Sequence, residues 1–257
     1  MNSLEMWVAF RTILTKEIRR FLRIWPQTLL PPAITMTLYF VIFGTLIGSR
    51  IGEMGGFSYM QFVVPGLIMM SVVTNSYSNV VSSFFGAKFN NSVEELLVSP
   101  VPNWIILAGY ITGGVTRGLM VALIVTLLSL FFADLGVYNL WLTMAIVLVT
   151  SVLFALFGFI NAVFANNFDD ISIIPTFVLT PLTYLGGVFY SLDLLPDFWE
   201  GLSRLNPLVY VVNGFRFGVL GVSDVDVGFA FSMLGLFTLV AFSYCMHLLN
   251  TGKRLRQ

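Results

Sequence analysis

The sequence predicts an all-α integral membrane protein of one domain over residues 1–257, and three observations carry that expectation. Hydrophobic residues make up 57% of the chain and charged residues only 10%. A soluble domain carries about 25% charged residues, so there is too little charge here to cover a surface in water. Mean hydropathy is +0.89. Six apolar segments, at residues 29–47, 60–82, 105–132, 140–165, 171–189 and 229–249, each come near the ~20 residues that cross a hydrocarbon core. Formal net charge is zero, with no basic groove or base-stacking motif, so nucleic acid is not an expected partner.

Residues 4–25 precede the first apolar segment and read as an amphipathic interfacial helix. Trp7, Phe10, Leu14, Ile18, Phe21 and Trp25 recur at spacings of three and four, while Arg11, Lys16, Arg19, Arg20 and Arg23 take most of the other faces. Such a helix lies along a membrane surface with its basic side toward anionic headgroups, which makes membrane lipids an expected partner. An ordinary solvated helix is the plainer alternative. The segment does not read as a cleavable signal, because the apolar run begins only after Trp25 with no small-residue cleavage site before it. Orientation follows the basic residues near the span ends. Nine of them, the five above with Lys88, Lys253, Arg254 and Arg256, fall on one side; three, Arg50, Arg204 and Arg216, fall on the other. Both termini are therefore expected in the cytoplasm.

That orientation places two short connections inside. FNNSVEELLVSP, at 89–100, lies between the second and third spans and reads as a short helix. Ser92 and Glu95 have the S-x-x-E spacing of a capping box, Val93, Leu96 and Leu97 make one apolar stripe, and Pro100 stops the helix. The other connection is the tight turn NNFDD at 166–170. Residues 190–227 fall outside. There Leu192, Leu194, Leu195, Phe198, Trp199, Leu202 and Leu205 alternate with charged residues, and LNPLVYVVNGFRFGVLG adds an apolar piece of about 17 residues, short for a span. Non-helical backbone survives at membrane depth only where protein buries it or it lines a cavity. We therefore expect an outer helical hairpin that re-enters the bilayer and breaks at Asn206-Pro207.

No enzyme chemistry is legible. His247 is the only histidine and Cys245 the only cysteine, and neither G-x-S-x-G nor H-E-x-x-H occurs. No catalytic or metal-ligating residue and no internal disulfide is expected. Uncharged polar residues do lie in the spans: Thr74, Asn75, Tyr77 and Asn79 in TNSYSN of the second, and Asn161 in the fourth. They either line a path for a partly polar cargo or hydrogen-bond helix to helix. Arg117, the one basic residue inside a span, either snorkels to the near face or opposes a cargo carboxylate or a partner-chain carbonyl. Pro175, Pro181 and Gly186-Gly187 interrupt the fifth span, as a gating hinge or as a fixed kink.

The run from Leu179 through TPLTYLGGVFYSLDLLPDFWEGLSRLNPLVYVVNGFR resembles the signature of ABC-2 type transporter permeases. Leu179, Leu182 and Leu185 recur every third residue, then come Gly186, Val188, Leu195-Pro196, Pro207-Leu208-x-Tyr210 and Arg216. EELLVSPVPNWIILAG resembles the family's cytoplasmic coupling segment, with Ser92, Val93, Glu94, Glu95, Leu96, Leu97, Ser99 and Pro100 as the coupling residues. Members are similar to this chain in length, span number, N-terminal helix and outer hairpin, and the closest subgroup is bacterial inner-membrane permeases. The resemblance implies a multi-pass inner-membrane subunit, both ends inside, that forms a homodimer and exports a cargo. It also implies contact of spans two and five across the dimer, and outer hairpins acting as a gate, with the bulky Leu194, Phe198 and Trp199 as plugs. No G-x-x-x-x-G-K-[ST] loop is present, since Gly252-Lys253 is followed by Arg. ATP and Mg are accordingly expected on two copies of a separate ABC ATPase subunit, not on this chain. A stand-alone channel or secondary carrier is the alternative, followed by a lipid-modifying membrane enzyme; the cargo is not legible.

Overall fold

A computed structural model of the chain describes residues 1–252, so Lys253, Arg254 and Arg256, counted above for orientation, lie outside the described residues. α1 (Ser3–Arg23) opens on a capping box in which Asn2 accepts from the Leu4 N–H and Glu5 accepts from the Asn2 N–H. The chain breaks at Ile24 and resumes as α2 (Trp25–Thr28) and α3 (Leu30–Tyr39), each with proline in its first turn, where the missing N–H costs no bond. A π-helical stretch (Phe40–Ile47) and α4 (Gly48–Ile51) follow, and a small antiparallel ribbon, β1 (Glu53–Met54) with β2 (Phe57–Ser58), turns the chain back. α5 (Tyr59–Phe89) starts on a second capping box, Ser58 with Gln61. Next come α6 (Ser92–Val98), α7 (Asn103–Ser129) and α8 (Leu140–Phe164). α9 (Asp170–Ile174), a π-helical turn (Pro175–Leu179) and α10 (Thr180–Tyr184) form one interrupted helix. α11 (Asp197–Arg204), α12 (Pro207–Leu220) and α13 (Val227–Thr251) complete the chain.

Among the described residues, four helical stretches are long and apolar enough to cross a membrane: Trp25–Gly44, Asn103–Ser129, Leu140–Phe164 and Val227–Thr251. α5 is longer than any of them at 31 residues, but its polar inner half keeps it out of that set. The fifth expected span differs more. Its helix ends at Tyr184 rather than 189, because the chain turns at Gly186-Gly187 and Gly187 sits at φ +72°, a left-handed conformation that glycine adopts without strain. The helical run from Asp170 to Tyr184 is therefore only about 22 Å long at 1.5 Å per residue, below the ~30 Å hydrocarbon thickness.

α5 is the axis of the molecule. It packs chiefly against α8 and α7, and most of its side chains are buried. Phe84 lies 5.2 Å from the Tyr110 ring of α7 and 4.2 Å from Phe159 of α8. Inside a bilayer such contacts hold helices by dispersion and shape, since lipid tails are as apolar as the core. Most of α5 is thus buried within the chain, with Thr74 on its outward edge. Besides α13, the loosely packed elements are the first and fifth expected spans. They meet side by side through a Tyr39–Tyr184 hydroxyl pair at 3.3 Å and the Phe43–Phe189 rings at 4.7 Å, and they expose Leu38 and Leu46 on one and Ile173 and Phe177 on the other.

Candidate functional site

α6 is joined to the end of α5 by Asn90-Asn91. The helix runs where the sequence expects it, but the expected capping box does not form. Asn91 takes a left-handed conformation (φ 59°) at the N-cap, and the Ser92 hydroxyl donates back to Ala87 O at 3.0 Å. The C-terminal end is as expected: Ser99 is extended ahead of Pro100, and its hydroxyl donates to Leu96 O at 2.6 Å. The apolar stripe faces inward. Val93 is buried, and the half-buried Leu96 and Leu97 pack on this chain's own core, so the stripe is largely covered from within the chain. What α6 offers outward is Glu95 and Pro100, both exposed, with Glu94 half-buried and Val98 83% exposed.

A buried polar seam lies beside it. α1 packs on α7 along a line that shares only Phe21 with the expected stripe: Ile13, Glu17 and Phe21 are buried, and Trp7 and Trp25 are exposed. The close approach depends on Gly109 and Gly113, where an added methyl would lie 2.5 Å from Ile13 and 2.6 Å from Glu17. Glu17, fully buried, accepts from the Ser83 hydroxyl at 2.6 Å and pairs with Arg20 at 3.5 Å. Arg20 in turn donates to the carbonyl and side-chain oxygens of Asn79 at 2.9 and 3.0 Å. Arg117 does not snorkel; it donates to Thr28 O at 3.2 Å and Asn75 Oδ1 at 3.0 Å. Asn161 donates to Ile171 O at 3.3 Å. Thus Asn75, Asn79, Arg117 and Asn161 join helix to helix within the chain. Tyr77 is buried between α5 and α8 beside Asn161, in a small apolar cavity that Phe154 and Leu208 also line. Thr74 alone among the expected pathway residues faces outward, on an α5 edge continued by the half-buried Ser78 and Ser82.

The third feature is a hub built on Arg216. This side chain is fully buried, although the sequence count places it outside the membrane. It donates to Phe62 O (3.3 Å), Asn213 Oδ1 (3.3 Å) and Gly187 O (2.6 Å), and its guanidinium lies 3.7 Å from the Phe62 ring centre. Asp224, 3.9 Å from Arg216, accepts from the Ser191 hydroxyl and the Leu192 N–H, so one arginine gathers α5, the glycine turn, α12 and the 190–195 segment. The other signature residues shape this corner. Pro196 is the N-cap of α11 and Pro207 opens α12. Tyr210 donates to Arg204 O at 2.6 Å, Gly186 sits against Leu208, and Leu185 is exposed at the end of α10. α11 and α12 form the expected hairpin, broken at Asn206-Pro207, where Asn206 caps α12 and also donates to Leu182 O at 2.6 Å. Leu194, Phe198 and Trp199 are exposed, at 65%, 73% and 48%.

Sequence reasoning missed Glu17, Arg20 and Asp224 as partners. One signal was available for the first two: Gly109-x-x-x-Gly113 is the small-residue spacing that lets another helix approach closely.

A core of long apolar helices, with polar residues spent on interhelical bonds, is the build of a multi-pass membrane protein. The family model of the ABC-2 type transporter matches residues 8–220. The chain is 62% identical over 251 residues to the inner membrane transport permease YadH of Escherichia coli strain K12, covering 97% of this chain and 98% of that one. The Shigella flexneri protein of the same name matches to the same extent. Nodulation protein J of Rhizobium meliloti strain 1021 is 24% identical over 210 residues, 80% of this chain and 79% of that protein. The chain belongs to the ABC-2 type transporter family.

Proposed function

We propose that the chain is the membrane-spanning permease subunit of an ATP-binding cassette exporter in a bacterial inner membrane, working as a homodimer driven by a separate ATPase subunit. The observation that carries this reading is α6. It is tied through its apolar stripe to the most buried helix, and it presents Glu94, Glu95, Val98 and Pro100 outward, so a push on it is delivered to α5 rather than lost in a loop. ATP and Mg bind at the partner, in one ATPase subunit per permease copy.

Six membrane segments fit this reading, the fifth of them short of a full crossing. They are the Trp25–Gly44 stretch, α5, α7, α8, the interrupted α9–α10 helix and α13, with both termini in the cytoplasm. α1 then rides on α7 at the inner surface, with the exposed Arg11, Lys16, Arg19 and Arg23 toward anionic headgroups. The open apolar faces of the first and fifth spans are the contact between copies. The polar edge Thr74, Ser78 and Ser82 of α5 is the stretch of this chain that meets the cargo. The exposed α11 face with Leu194, Phe198 and Trp199 closes the outer end. The name of the 62%-identical relative supports the membrane assigned here; the direction, export, rests on the family.

The test is charge reversal on the lever. Glu94→Lys with Glu95→Lys is expected to leave insertion intact and to weaken partner ATP hydrolysis at least several-fold. Hydrolysis at the wild-type rate by the purified complex would sink the coupling role.

A further inference from the structure

Resting on that exporter reading, we infer that Lys88 and Phe168 are positioning residues that carry the stroke of α6 into the fifth span. α6 hangs from the last residues of α5, and those residues are fastened to the end of α8 and the turn after it. Lys88, buried one residue before the end of α5, donates to Val163 O at 2.7 Å and Ala165 O at 2.8 Å. These carbonyls belong to the C-terminal end of α8, where a cation is favoured by the helix dipole. Phe85 and Phe89 each hold Phe168 with ring centres 5.0 Å apart, at 88° and 59°. Phe168 lies in the 166–170 turn, which leads straight into α9.

That turn is braced by two side-chain hydrogen bonds. Asp170 accepts from the Asn166 N–H at 2.8 Å, and Asn167 accepts from the Asp170 N–H at 2.8 Å. Beyond it, Asn161 holds Ile171 O, so the start of α9 is fixed to α8 as well. The fifth span itself is lightly packed and π-helical at Pro175–Leu179, a place where a helix bends readily. It ends at the turn whose Gly187 carbonyl Arg216 holds. A tilt of α6 therefore reaches the outer corner through Lys88 and Phe168, then the fifth span, then Gly187.

The experiment uses the full chain with its co-purified ATPase in lipid nanodiscs. The single native cysteine is removed as Cys245→Ser, and an environment-sensitive fluorophore is placed on Leu194→Cys. ATP hydrolysis and the ATP-dependent fluorescence change are both read. Phe168→Ala and Lys88→Met are expected to keep hydrolysis within about two-fold while reducing the fluorescence change at least five-fold. Lys88→Arg, which keeps a donor for the α8 carbonyls, is expected to restore it. An undiminished change in both disrupting variants would overturn the route. To guard against misfolding, Phe168→Tyr, which keeps a ring between Phe85 and Phe89, is expected to retain the fluorescence change, and its loss in that variant overturns the proposal. A wild-type complex that hydrolyses ATP but shows no change at Leu194 refutes this route alone. A chain that captures no ATPase refutes the exporter reading beneath it.

Discussion

At Gly113 the constraint is a matter of tenths of an ångström. A methyl there lies 2.6 Å from Glu17 Cβ, so α1 must move to admit it. Gly113→Ala is expected to cost about 1–3 kcal/mol, read as a lower melting temperature in detergent. Gly86→Ala has nothing within 4 Å; it should be neutral or stabilise by up to ~1 kcal/mol, as alanine does over glycine inside a helix. Arg216 sets the opposite limit, a charge held by several acceptors at once. Lysine cannot reach Phe62 O, Asn213 Oδ1 and Gly187 O together. Arg216→Lys should weaken the outer corner by roughly 2–3 kcal/mol, because buried oxygens lose their donors. Limited proteolysis of 190–206 from the outer side of right-side-out vesicles is the measurement, with faster cleavage the expected outcome.

Among the elements, α6 carries a buried and an exposed valine little more than one turn apart. Val93 fills a place against α5, so Val93→Ala should lower the melting temperature, with a cost of about 1–3 kcal/mol. Val98 touches little within the chain, so Val98→Asp should leave that temperature unchanged yet reduce ATPase capture at least five-fold. The element itself was legible in SVEELLVSP, because apolar spacing and Pro100 fix its length. Its cap was not, since S-x-x-E describes a side-chain option and the left-handed Asn91 joint chooses another. Its orientation was not legible either: an amphipathic stripe says that something covers it, and here the cover is α5. The hairpin break at Asn206-Pro207 could be read from proline chemistry alone. By contrast, the end of the fifth helix at Tyr184 depends on a turn whose carbonyl Arg216 holds from 29 residues away. The docking of α1 was hidden for a similar reason. Glu17 and Arg20 look like surface charges on a helix wheel until Gly109 and Gly113 bring α7 close enough to bury them.

For the whole molecule, composition decided the class: too little charge for water, and apolar segments of bilayer length. In the proposed homodimer the spans that the single chain leaves uncovered supply the contact, and hydropathy does not reveal them, because buried and lipid-facing helices are equally apolar. Phe177 is 73% exposed on the fifth span. A Phe177→Cys chain lacking Cys245 is expected to form a cross-linked dimer in native membranes, while the same change at the buried Val72 of α5 should not. The most direct measurement of the assembly as a whole is native mass spectrometry of the tagged chain, extracted from its own membrane in mild detergent. The expected result is a complex of permease and ATPase subunits in equal numbers, with at least two of each, and ATP hydrolysis that the Glu94→Lys, Glu95→Lys chain fails to support. A chain that leaves the membrane without any ATPase, and moves solute across vesicles in the absence of ATP, would contradict the exporter and put a stand-alone carrier in its place.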